Sequence, residues 1–409
     1  MRTVLLCWSF PPARNGLASA AAEIAAALRD SGHDVTVIAL DRTGRATRDG
    51  TLVIGCAPGP LLRRLRRFGA IGHLVPPFCF WRAVRACHAE APVAVVEATN
   101  WYAPGLLVAL LGPAPLVTRN STPASITANG VRSWRDRLDH RAAMLLEAMS
   151  ARRSAALISN TAAHGATIAA RYRVPPPGPA HAVIGLSLPE TILAAGRGAA
   201  YPPSGDGPLC ILFVGRAEAR KGFAELLDAA ATLAAEAERG EGPEFRLHLV
   251  GIDALPRRSD ALLSRMALSR DLPEPALHAM FAAAHLVAAP SRYESFGLVY
   301  QEAMAFGRPI LACAEDASAR RFVGETGAGL LAERCEGGAI ALVLRRMLRD
   351  PALRDRLHRN SRAAAGMFTR ATLAAETVAL YRTAIEAGSN GRRSAHSSEG
   401  RPAPARMVS

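Results

Sequence analysis

The sequence predicts an α/β protein made of two Rossmann-like domains facing each other across a cleft. Short Val-, Leu- and Ile-rich runs alternate with alanine-rich helical runs from end to end, the pattern of parallel sheets covered by helices on both faces. The alternation breaks once, at 196–208, where Gly, Pro and Ala replace periodicity; such a stretch reads as a linker. A chain of 409 residues also exceeds what one small core fills.

The elements follow in order. Residues 3–7 are a continuous apolar run and read as a buried strand. Residues 17–31 read as a helix, closed by Gly32, and 34–40 as the next strand. Further strands are expected at 52–55, 93–97, 116–118 and 157–159. After the linker the pattern restarts with a strand at 209–214, a helix at 222–237 and a strand at 246–250. A helix at 275–284, a strand at 286–289, a helix at 298–306 and a strand at 309–313 complete the alternation. Helical stretches near 337–349, 352–366 and 371–387 close the fold. Residues 389–409, rich in Ser, Gly, Arg and Pro, are expected to be disordered. The expected division is therefore 1–195 and 209–370, with the 371–387 helix packing back on the first domain.

The chain carries 48 arginines and a single lysine, Lys221. A compact ammonium on a flexible stem suits a phosphate oxygen better than a planar fork does. Of the net charge of +14, most falls in residues 1–200, where 22 arginines face 11 acids. Such a field attracts nucleotide phosphates or anionic lipid. No nucleic-acid module is present, and nucleic acid is not an expected partner. Seven dispersed cysteines imply reduced thiols in a cytosolic protein. The short N-terminal apolar run does not read as a secretory signal, and no run approaches the length of a spanning helix.

Three strand exits in the second half bring chemistry together. Gly215-Arg216 ends one strand, with Lys221-Gly222 opening the next helix. Gly251 ends a second strand. The third exit is Pro290-Ser291-Arg292-Tyr293-Glu294-Ser295-Phe296-Gly297-Leu298, leading into Glu302. A helix that begins near Gly297 offers unpaired amides and a positive dipole end to a diphosphate. Glu294 precedes that helix. Glu302 lies within it and tilts back toward its start, where it can accept from ribose hydroxyls.

This constellation, with Glu302-Ala303-Met304-Ala305-Phe306-Gly307-Arg308-Pro309 after it, resembles the family-four retaining glycosyltransferases of GT-B fold. The resemblance extends to Trp8-Ser9-Phe10-Pro11-Pro12 and Gly32-His33-Asp34-Val35-Thr36-Val37, and spans most of residues 1–385. It implies that Arg216 and Lys221 neutralise the donor diphosphate, that Glu294 contacts the sugar near the reacting centre, and that Glu302 holds the ribose. It implies Gly215, Gly251, Ser295, Phe296, Gly297 and Leu298 as donor-binding positions. It implies a nucleoside-diphosphate sugar as donor, with no cofactor; the lack of an Asp-x-Asp motif at a strand end fits a metal-independent mechanism.

The chain departs from the family at three places, two of them in the acceptor half. Asn15 stands where a glycine is usual before Gly16, and its tolerance of left-handed angles would preserve the loop. Ser121 stands where many relatives carry a histidine, in Arg119-Asn120-Ser121-Thr122-Pro123; His33 and His73 are alternatives nearby in sequence. Ala314-Glu315-Asp316-Ala317-Ser318 replaces a Gly-Gly turn. Asn15, Gly16, Arg119 and Ser121 are the expected acceptor-side residues. Residues 61–82 interleave arginines with Leu, Phe and Trp, a composition that suits an anionic lipid interface and a lipid-linked acceptor at the inner membrane face. The departures at Ser121 and Asn15 also suit a non-catalytic nucleotide-sugar-binding partner of another transferase, and the fold also hosts sugar-nucleotide epimerases.

Overall fold

The structure, a computed structural model, describes residues 1–13, 15–127, 133–203 and 207–398. The chain divides into two compact units. The first is built chiefly from residues 1–124, 133–184 and 374–398, the second chiefly from 185–373.

The first unit holds eight strands: β1 Arg2–Cys7, β2 Asp34–Ala39, β3 Thr43–Arg48, β4 Thr51–Cys56, β5 Val95–Thr99, β6 Leu116–Asn120, β7 Ala156–Ser159 and β8 His181–Val183. Their order is β3-β4-β2-β1-β5-β6-β7-β8. Every pair is parallel except the β3–β4 hairpin. Strands buried on both faces need apolar side chains throughout, and Val4, Leu5, Val37, Ile38, Val95 and Val96 are all enclosed. The strand order reverses between β1 and β5. The loops that leave these two carboxyl ends meet there, with the Trp8 indole N–H donating to Trp101 O at 2.9 Å.

The second unit adds β9 Leu209–Val214, β10 Phe245–Val250, β11 Met266–Ser269, β12 Leu286–Ala288, β13 Ile310–Cys313 and β14 Gly329–Ala332. They form one parallel sheet in the order β11-β10-β9-β12-β13-β14. The helices Phe223–Glu238 and Gly337–Arg349 close one face over a core of Leu, Phe and Ile. The strand order reverses between β9 and β12, and ligands of open α/β sheets bind at such a reversal, outside the carboxyl ends.

Four strands lie outside those expected. β3 is TGRATR with all six residues exposed, so no apolar alternation announces it. β8, β11 and β14 are short edge strands. The division between units also differs from the expected 196–208 linker, falling between Ile184 and Gly185. Residues 190–198 form a helix fixed within the second unit. Arg362 donates to the carbonyls of Gly196 and Ala199 at 2.7 and 2.6 Å, and Arg308 to that of Ala200 at 2.7 Å. The final helix, Arg370–Ser398, continues through part of the stretch expected to be disordered; 399–409 lie outside the described residues. From Ala374 onward this helix belongs to the first unit.

Candidate active site

The site lies where the second sheet reverses its order. β9 exits into Gly215 and a short turn of helix, Ala219–Lys221. The turn ends at Gly222, whose φ is +65°. A β-carbon there would sit 2.2 Å from Pro290 O and 2.6 Å from Cys335 Sγ, so only glycine lets the β9 exit lie against the β12 exit. This contact brings Arg220 and Lys221 over Glu294. The Lys221 ammonium and the Ser291 hydroxyl both donate to Glu294 Oε1, the latter at 2.8 Å. Arg220 reaches Oε2 at 3.3 Å.

Glu294 is buried, yet remains ionised. Burial by itself raises its pKa, but Lys221, Arg220 and the Ser291 hydroxyl outweigh burial and hold the carboxyl below its ordinary value. Its backbone is fixed too. The Glu294 N–H donates to Asp316 Oδ1 at 3.0 Å, and its carbonyl accepts from the Ser318 hydroxyl at 3.0 Å. Asp316 also accepts from the Tyr300 hydroxyl at 2.9 Å and caps the short helix that follows it. Burial and the nearby Glu294 push the Asp316 carboxyl up to about 6.

The helix Leu298–Ala305 opens at Gly297, with φ of +88° and no side-chain cap. The Tyr300 N–H donates to Gly297 O at 2.9 Å, so the Leu298 and Val299 amides are the ones at this start that can turn to an anion. A β-carbon at Gly297 would strike the Tyr300 ring at 2.3 Å. Glu302 sits half-buried one turn in. Burial pushes it up to about 7, with Lys221 pulling in the opposite direction. Lys221 thus acts electrostatically on both glutamates.

The predicted donor residues divide into groups. Lys221, Glu294 and Glu302 meet around the uncapped helix start. Arg216 does not join them directly: its side chain is 72% exposed and pairs with Glu218 at 2.7 Å. Glu218 in turn pairs with Arg220 at 2.8 Å, which makes Arg220 the second cation on Glu294, a position that its place among so many arginines concealed. Phe296 turns its ring away into the core, edge-on to Phe322 and Phe368, so only its backbone lines the site. Ser295 and Leu298 are partly exposed beside the helix start. Gly251 closes β10 with φ of +84°, whereas Gly215 needs no such angle. Asp316, absent from the expected set, lies on the exit of β13, a whole helix and strand beyond Glu294, and no local spacing links the two.

The acceptor-side expectations need more correction. Asn15 is extended, with φ of −154°, and caps the helix Gly16–Asp30 by accepting from the Ala18 N–H at 2.9 Å. Its value is the cap, not a left-handed turn. Gly16 opens that helix with free space where a β-carbon would lie. Arg119 is buried and committed within the fold, paired with Glu97 at 2.8 Å and donating to Thr377 at 2.9 Å. Ser121 donates from its amide and its hydroxyl to Asn100 Oδ1, at 2.7 and 3.0 Å. His73 contacts Asp139 at 2.9 Å and stacks on Tyr102. His33 bonds the chain's own amino terminus and precedes β2, at the amino ends of the strands, opposite the loops after β1 and β5. A buried carboxylate ties the loops after β5 and β6 together. Glu147 accepts from the Tyr102 N–H at 2.9 Å, the Ala124 N–H at 3.2 Å and the Tyr172 hydroxyl at 2.7 Å.

Two helix-flanked, predominantly parallel sheets, each with a reversal of strand order, describe the GT-B fold. Residues 202–364 match the family described as glycosyl transferases group 1. Residues 14–183 match glycosyltransferase family 4. The chain is 30% identical over 298 residues to the D-inositol 3-phosphate glycosyltransferase of Jonesia denitrificans, covering 68% of each chain. It belongs to the family-four glycosyltransferases. It spans about half the length of other curated relatives it matches, at 45% and 48% for D-inositol 3-phosphate glycosyltransferases of Catenulispora acidiphila and Streptomyces avermitilis. The fold is similar to that of sucrose-phosphate synthase from Thermosynechococcus elongatus, with TM-score 0.70 and 22% identity over 97% of this chain and 99% of that one. It is also similar to Anabaena HepE in complex with UDP-glucose, with TM-score 0.65 and 19% identity over 92% and 99%.

Proposed function

We propose that this protein is a retaining, metal-independent glycosyltransferase. It moves a sugar from a nucleoside-diphosphate sugar to a hydroxyl acceptor in bacterial envelope-glycan, glycolipid or secondary-metabolite synthesis. The observation that carries this reading is the Lys221–Glu294–Arg220 cluster set against the uncapped start of helix Leu298–Ala305.

Departure of a nucleoside diphosphate builds negative charge on its β-phosphate. Positive groups fixed in advance stabilise that charge. An ammonium has three donors, so Lys221 can keep Glu294 while contacting a phosphate oxygen. The free helix amides take the other oxygens. Glu302 receives the ribose hydroxyls and Glu294 the hydroxyls of the transferred sugar. Retention then follows from attack on the face the diphosphate leaves, with a phosphate oxygen taking the acceptor proton. Arg216, at the exposed end of the ion-pair chain, meets the outer phosphate oxygens. The acceptor is soluble or lipid-linked, and the reaction belongs to the cytoplasm, at the inner membrane face in the lipid-linked case.

The test is a thermal-shift screen with UDP, GDP and ADP sugars, followed by transfer assays on soluble and lipid acceptors. One nucleotide series should stabilise the protein, and an acceptor should release the matching nucleoside diphosphate with the α-linked product from an α-linked donor. Binding without release for any acceptor would replace this reading with a non-catalytic partner. A changed donor sugar without acceptor would replace it with an epimerase.

A further inference from the structure

The helix Trp134–Arg153 in the first unit is inside out. A helix packed on a soluble domain turns its apolar stripe inward. Here Trp134, Leu138, Leu145 and Met149 are exposed, Trp134 by 67% and Leu145 by 65%. At about 100° per residue these four fall within a stripe of about 60°. The opposite stripe carries Asp139, Ala143, Glu147 and Ser150, which face the fold: Ala143, Glu147 and Ser150 are buried, and Asp139 binds the neighbouring segment.

The inward-facing side of the helix holds a second segment with exposed apolar side chains of its own. Asp139 accepts from the Ala70 N–H at 3.0 Å and contacts His73 at 2.9 Å. The segment it holds exposes Leu61, Leu65, Phe68, Ile71 and Leu74, with Leu61 at 71% and Phe68 at 63%. The helix Leu106–Leu111 packs on Trp134–Arg153 as well and exposes Leu111 by 63%. Arg63, Arg64, Arg67, Arg135, Arg137 and Arg141 are all exposed among these residues.

We propose that this face docks on an anionic lipid bilayer, with the leucines and Trp134 in the headgroup boundary and the arginines on lipid phosphates. Large apolar side chains exposed along one helix face mark an interaction surface, and the charge beside them selects the partner. A second copy would set arginine against arginine in a symmetric contact. Nucleic acid would leave the aliphatic stripe in water. A bilayer satisfies both components, and snorkelling guanidiniums over buried leucines are the usual form of such contacts. Among the described residues no helix is long and apolar enough to cross a membrane, so the contact lies in the interface plane. This deepens the lipid-side part of the proposed function, but its binding test needs no sugar transfer, so the two fail separately.

The full-length protein is floated with pure phosphatidylcholine vesicles and with phosphatidylcholine vesicles enriched in phosphatidylglycerol. Binding should be at least tenfold stronger to the anionic vesicles and fall with added salt. Leu138→Gln/Leu145→Gln should lower it about tenfold. Arg135→Ser/Arg137→Ser/Arg141→Ser should also lower it, by roughly fivefold per arginine, with circular dichroism and nucleotide thermal shift unchanged. Equal binding to both vesicle types, or unchanged binding by both variants, would overturn the proposal. So would a dimer in light scattering that Leu138→Gln/Leu145→Gln dissolves, since the face would then belong to a second copy.

Discussion

Replacing Glu294 by glutamine should tighten nucleoside-diphosphate binding while destroying transfer. The carboxylate is 9% exposed and its partners Lys221 and Arg220 are 17% and 13% exposed. The substitution preserves shape but strips the charge that two largely buried cations share. Breaking a buried pair costs about 3–5 kcal/mol. Glutamine still offers a carbonyl, and both cations retain some solvent, so the cost in the ligand-free protein should be nearer ~2 kcal/mol. A bound diphosphate restores the missing negative charge and recovers most of that loss. Since about 1.4 kcal/mol is tenfold in affinity, the variant should bind the matching nucleoside diphosphate about tenfold more tightly than wild type. Turnover should fall by at least about a hundredfold, because the group facing the transferred sugar loses its charge. Isothermal titration with the nucleotide chosen by thermal shift, urea denaturation and a transfer assay give the three readings. Unchanged or weaker nucleotide binding would show that Lys221 and Arg220 do not face the diphosphate, whatever happens to turnover.

Glu302, pushed up to about 7 by burial, should make wild-type nucleotide affinity rise several-fold between pH 6 and 8 as the carboxylate forms. Glu302→Gln should flatten that rise relative to wild type, and parallel profiles would remove Glu302 from the ribose. The sign for stability is opposite: a raised carboxyl pKa favours the fold below the ordinary carboxyl range and loses that contribution as pH passes through about 7. Gly297→Ala places a β-carbon against Tyr300 at a left-handed angle. It should cost about 1–3 kcal/mol in urea denaturation and weaken nucleotide binding, whereas wild-type stability would mean the loop relaxes freely. Arg119→Met leaves buried Glu97, among the described residues, with the Tyr381 hydroxyl as its remaining side-chain partner. A loss of about 3–5 kcal/mol is expected, and an unchanged melting temperature would contradict the buried pairing.

The sheets were legible because parallel strands announce themselves by unbroken apolar runs, as in Leu209–Val214. β3 was not, because its side chains face water and only its backbone pairs with β4. On the donor side, Lys221, Glu294 and Glu302 stood out by type and spacing. Arg220 and Asp316 did not, since one is an arginine among many and the other acts from the next strand exit through a backbone amide. The pairing of Arg119 was hidden for a related reason: its partners Glu97 and Thr377 are fixed by topology, the latter 258 positions away. The reversed polarity of Trp134–Arg153 was equally hidden, because periodicity reveals a stripe but not which side faces out.

The interlock of Glu97, Arg119, Thr377 and Tyr381 also sets an order of assembly during synthesis. The chain up to Ile184 carries the Glu97–Arg119 ion pair, but the two hydroxyls that complete its hydrogen bonds lie on a segment translated only after the entire second sheet. The intervening unit has all of its strands before then, so it can finish first. A fragment truncated before the last helix would keep its early sheet but expose the face that Thr377 and Tyr381 seal.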